Sequence, residues 1–199
     1  MSWSPDTVYV EGHGFFSASV ALFRDPDWQR PSPCSGWTAL DVLGHVGTAT
    51  GFGTELLRGE QPVWSPGNPP GASVEGDPRT WWDTLVTPAL QAVAGVDLTM
   101  VVESPVGRRA IGDGLSYPAL DLFIHAWDLA RSLGMDVVIP AEVIEFAHIV
   151  FRPIPSDQMR SPRVFADALA ASPDATATEA FIAWTGPDPR WTSATEGSA

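Results

Sequence analysis

The chain reads as an all-α protein, a bundle of four main helices joined by long connections and carrying a short β-hairpin. Three observations predict this. Apolar residues recur at three- and four-residue spacing through several long segments. Helix boundary signals sit where those segments begin and end, as in Thr38 with Asp41, Asp77 with Pro78, and Gly134. Extended character is confined to one short pair of segments, Thr99 to Val102 and Arg109 to Ile111, on either side of Pro105 and Gly107.

A first helix is expected from Asp6 to Phe23, with Val8, Phe15, Phe16, Val20 and Phe23 on its apolar positions and Gly12 and Gly14 counting against it. Two prolines and a glycine make Arg30 to Trp37 a structured loop. Thr38 then caps a second helix, whose pattern runs through Leu40, Val42, Leu43, Val46, Phe52, Leu56 and Leu57 to Arg58. The proline- and glycine-rich stretch Pro62 to Pro78 reads as a long surface connection, of the kind that often serves function. Asp77 and Pro78 open a third helix through Trp81, Trp82 and Leu85, which Pro88 should kink or stop. After the hairpin, Ser116, Tyr117 and Pro118 start a fourth helix that closes at Gly134. Shorter helices follow at Ala141 to Phe151 and Thr176 to Trp184.

The fourth helix carries the chemistry. In Asp121-Leu-Phe-Ile-His125-Ala-Trp-Asp128, Asp121 and His125 differ by about 40° around the helix axis, and Asp128 falls about 20° to the other side of Asp121. Three polar side chains thus share one stripe of a helix that is otherwise apolar, and buried carboxylates and imidazoles need partners. A divalent cation would satisfy Asp121 and His125, with Asp128 orienting a ligand from behind. Of the four histidines, His45 is the best third ligand, because it lies mid-helix between Leu43 and Val46 on a mixed face with Asp41, Ala49 and Phe52. His13 and His148 have no acidic residue four places away in a comparable setting. Two imidazoles and a carboxylate from facing helices would leave a coordination position open. The rival reading ties Asp121 and Asp128 into caps or ion pairs, for instance with Arg131.

Composition bounds the partners. With 24 acidic against 11 basic residues, the formal charge of -13 would repel a phosphate backbone, so nucleic acid is not expected. No stretch of about 18 apolar residues offers a membrane span. Cys34 is the sole cysteine and Met1 to Glu11 lacks a leader's basic start and apolar run, which together point to a reduced cytoplasmic compartment.

Three separated motifs resemble the DinB-like proteins related to mycothiol-dependent maleylpyruvate isomerase, specifically their N-terminal metal-binding domain. They are Pro31-Ser-Pro-Cys-Ser-Gly-Trp-Thr38 followed by Asp41-Val-Leu-Gly-His45-Val, then His125-Ala-Trp-Asp-Leu-Ala-Arg131, then Ala183-Trp-Thr-Gly-Pro-Asp-Pro-Arg-Trp191. The likeness covers nearly the whole chain and implies one DinB-like four-helix domain over residues 1–199 with a C-terminal extension. By position, His45, Asp121 and His125 take the places of the family's metal ligands, Asp121 standing where a glutamate is usual. Pro187 departs from a usual arginine. The chain also ends without the extra C-terminal domain that the isomerase uses for its substrate, so maleylpyruvate itself is not the expected substrate.

The resemblance implies an enzyme in which a divalent metal activates a low-molecular-weight thiol, mycothiol, for transfer to, or isomerisation of, a small electrophile. Zinc suits the donor set, with Ni2+, Fe2+ or Mn2+ as alternatives. Asp128 is assigned a catalytic role through a histidine, and Trp127 and the loop after Arg58 are placed at the entrance. Cys34, with no basic partner visible in sequence, is read as structural. Two other functions stay open, a metal-dependent hydrolase or lyase without thiol and a non-catalytic metal- or small-molecule-binding protein. A homodimer paired through helix faces is a further expectation.

Overall fold

A computed structural model describes residues 3–104, 107–160 and 164–193. Helices α1 (Pro5–Val20), α2 (Ala39–Leu57), α3 (Pro78–Val93) and α4 (Ile111–Ser132) pack into a bundle, α1 and α2 each against both α3 and α4. Strands β1 (Val101–Val102) and β2 (Arg109–Ala110) pair antiparallel, with Val101 opposite Ala110. Helices α5 (Ala141–Phe151), α6 (Ser156–Met159) and α7 (Ala177–Thr185) complete the chain. The all-α class and the short hairpin are both observed. Of the turn residues expected there, Gly107 donates its N–H to the Ser104 carbonyl, and Pro105 lies outside the described residues.

Burial explains why the helices hold. Val8, Tyr9 and Phe16 of α1, Leu43 and Val46 of α2, Trp82 of α3, and Leu115, Leu122 and Phe123 of α4 are all buried in one core. That packing carries α1 past Gly12 and Gly14. The helix stops at Val20, before the expected Phe23, which leaves the helix and instead stacks on Trp28 at 4.4 Å. Trp82 seats its ring on Phe16 at 4.8 Å and donates its indole N–H to Ser17 Oγ at 2.8 Å, so its one polar atom is satisfied.

Two expected boundaries are corrected. Helix α4 begins at Ile111 rather than Ser116, because the N–H groups of Ile111 and Gly112 find the carbonyls of Met100 and Leu98, each at 2.9 Å. Long-range backbone acceptors thereby replace a side-chain cap. Pro118 sits inside α4, and Pro88 likewise sits inside α3, which runs on to Val93. Neither proline ends its helix. Among the described residues, no helix is long and apolar enough to cross a membrane.

Candidate metal centre

The loop before α2 is built by its own sequence. Trp37 N–H donates to the Cys34 carbonyl at 2.9 Å, closing a four-residue turn in which Gly36 takes φ 74°, the left-handed region that favours glycine. Ser32 clamps the turn, its N–H reaching the Trp37 carbonyl at 2.9 Å and its hydroxyl the same oxygen at 3.0 Å. Thr38 and Asp41 then form a reciprocal capping box that starts α2. Asp41 also accepts the Gly71 N–H at 2.9 Å and so pins the Pro70–Ser73 turn onto α2. That seat needs Gly44, where a Cβ would lie 2.2 Å from the Pro70 carbonyl oxygen.

From this frame α2 presents His45 to α4. Nε2 of His45 lies 3.6 Å from Oδ2 of Asp121, and the rings of His45 and His125 stand 4.9 Å apart at 77°. One donor atom from each of His45, Asp121 and His125 lies within 4.8 Å of the others. The first separation is long for a hydrogen bond and close to the roughly 3.3 Å between donors of a tetrahedral site with bonds of about 2.0–2.1 Å. Two imidazoles and a carboxylate also match the donor chemistry of divalent transition metals, so these residues fit such an ion. The His45 and Asp121 side chains remain 20% and 31% exposed, which leaves the cluster open on one side.

Behind it, Asp128 is 1% exposed and accepts from Nδ1 of His125 at 2.7 Å, which leaves Nε2 as that ring's free nitrogen. Cys34 donates its thiol to the same Asp128 oxygen at 3.3 Å and lies 4.0 Å from His125 Nδ1. Oδ1 of Asp128 has no hydrogen-bond partner among the described residues.

The electrostatics follow this arrangement. Burial would lower the His125 pKa, but its hydrogen bond to Asp128 and the charges of Asp128 and Asp121 outweigh it and raise it. Burial would raise Asp121, and here contact with His45 and the charges of His125 and His45 win, holding it below the ordinary carboxylate range. Burial pushes the Cys34 thiol well up, and the charge and hydrogen bond of Asp128 push the same way.

The expected site residues are therefore brought together, and the surroundings differ from expectation in three ways. Trp127 is buried in the core with the Arg131 guanidinium 5.6 Å from its ring centre, so it does not shape an entrance. The long connection after Arg58 does reach the cluster as expected, through Trp64, and Trp37 joins it, their rings standing 5.5 and 5.2 Å from that of His45. Arg131 pairs with Asp136 and the carbonyls of Pro189 and Trp191, not with Asp121 or Asp128. Cys34 does have a basic neighbour, His125. A concavity of about 820 Å3 between α5 and α7, floored by Ile144, Phe151 and Trp184, shares no residue with the cluster.

Fold and site together define a helical-bundle protein with a partly exposed His-Asp-His donor cluster. The family model for the mycothiol maleylpyruvate isomerase N-terminal domain matches residues 10–130, and the chain belongs to that family. Two uncharacterised proteins of Mycobacterium tuberculosis, from strains CDC 1551 and H37Rv, are each 25% identical over 165 residues, covering 82% of this chain and 86% of theirs. Crystal structures of mycothiol-dependent maleylpyruvate isomerase and of a histidine-to-alanine mutant match with TM-scores of 0.56 and 0.59. Both are 17% identical, cover 71% of this chain and support the shared fold; the chain spans 65% of their length.

Proposed function

We propose that the protein is a divalent-metal-dependent enzyme that activates a low-molecular-weight thiol of the mycothiol type for attack on a small electrophile. The observation that carries this reading is the convergence of His45, Asp121 and His125 from two helices with two of the three side chains still partly exposed. These three side chains would hold the ion, and zinc suits them best. Held by these side chains, a divalent cation would supply Lewis acidity that lowers a thiol's pKa toward neutral pH.

The chain's own residues do the rest. Asp128 holds the Nδ1 proton of His125, which leaves the lone pair on Nε2 as that ring's donor. Trp37 and Trp64 flank His45 with apolar surface and offer a platform for an unsaturated electrophile. The shorter reach of Asp121, one methylene less than the family's glutamate, is met by the 3.6 Å approach of His45.

Thiol consumption in the presence of a panel of small electrophiles, titrated against added zinc, tests this. Metal-dependent loss of thiol is expected, and turnover that persists with no thiol present would defeat the proposal. Metal analysis of the purified protein beside His45→Ala and His125→Ala tests the ligand set, with unchanged metal content in both variants ruling it out.

A further inference from the structure

A buried carboxylate with two donors on one oxygen and, among the described residues, none on the other is held only as firmly as those donors hold it. One donor is His125, the residue Asp128 must orient. The other is Cys34, which lies 94 residues away in sequence. We propose that Cys34 is a positioning residue, whose thiol fixes Asp128 against His125 Nδ1 and thereby sets which imidazole nitrogen carries the proton and which keeps its lone pair.

The loop makes this more than a single contact. The turn that opens on Cys34 closes on Trp37, and Trp37 packs its ring 5.2 Å from His45. One turn therefore steadies both imidazoles, His125 through Asp128 and His45 directly. The spacing Cys-x-Gly-Trp acquires a physical meaning: a thiol donor, a left-handed residue and an aromatic wall in four positions. The geometry also sets this role apart from a nucleophilic one. Nδ1 of His125 is engaged with Asp128 at 2.7 Å and stands 4.0 Å from the sulfur, so it is badly placed to take the thiol proton.

The test compares Cys34→Ser, whose hydroxyl can still donate to Asp128, with Cys34→Ala, which cannot. One part rests on the metal reading above and uses cobalt(II) as the probe. The serine variant should bind as the parent does, and the alanine variant about ten-fold or more weaker. No sulfur-to-cobalt charge-transfer band should appear in any of the three. Such a band in the parent, lost in Cys34→Ser, would make Cys34 a ligand and overturn the proposal, as would full affinity in Cys34→Ala.

The other part needs no metal. Imidazole nitrogen NMR should show His125 protonated on Nδ1 in the parent and in Cys34→Ser, and a mixture of tautomers in Cys34→Ala. An unchanged tautomer in Cys34→Ala overturns the proposal. If the parent binds no cobalt, the metal reading fails by itself and the NMR comparison still decides the role of Cys34.

Discussion

Two histidines in the same bundle have opposite fates. His13 of α1 is 1% exposed, packed between Tyr9 and Trp82 with ring centres 4.5 and 5.6 Å away, and neither ring nitrogen has a hydrogen-bond partner among the described residues. Burial pushes its pKa down to about 4. His125 of α4 keeps only 12% of its side chain exposed, yet Asp128 reverses the direction of its shift. The difference lies in the partners: a bare imidazole in hydrocarbon is kept neutral and inert, whereas one backed by a carboxylate has a defined tautomer and a directed lone pair.

Substitution should separate the two histidines most sharply. His125→Ala is expected to leave purified protein without bound divalent metal, while His13→Leu retains the parent's content, as measured by elemental analysis. Metal retained by His125→Ala would erase the contrast.

The next largest effect belongs to His13 and concerns stability against pH. Its folded pKa of about 4 lies below the ordinary imidazole value of 6.5, so both folded and unfolded chains carry it neutral above pH 6.5. As pH falls below that, the unfolded chain takes up the proton first and stability drops, until the folded protein also protonates near pH 4. The loss over that window is about 3 kcal/mol. Denaturant unfolding at a series of pH values should show it, and His13→Leu should remove that component.

Asp128→Asn sharpens the other half of the comparison. Losing the charge behind His125 should weaken metal binding about 10–100-fold without unfolding the protein, read by competition with a chelator. The smallest effect is expected at Asp41→Ala, which removes a capping partner and the tie to Gly71 and should cost about 1–2 kcal/mol in thermal or denaturant unfolding, with metal content unchanged.

Much of the bundle was legible because its signals are local. Thr38 with Asp41, Asp77 with Pro78, and Thr176 all sit where helices begin, and α5 runs over the expected residues. The start of α4 was not legible, since its first N–H groups are satisfied by Leu98 and Met100 across the hairpin, a contact without local signature. The same division holds at the site. Asp121, His125 and Asp128 share a stripe because helical spacing puts them there, and His45 stood out as a histidine mid-helix in an apolar pattern. The bond from Cys34 to Asp128 and the approach of Trp64 to His45 depend on how loops return to the bundle, which periodicity does not encode.

The long connection after α2 is fastened at both ends, by Val63 N–H to Glu55 and by Gly71 N–H to Asp41, with Trp64 held between them and 45% exposed. Its side chain can therefore be exchanged for a smaller or a polar one with little penalty to the hydrophobic interior. The aromatic face that the connection offers to His45 and the cohesion of the bundle are therefore set independently of one another at this position.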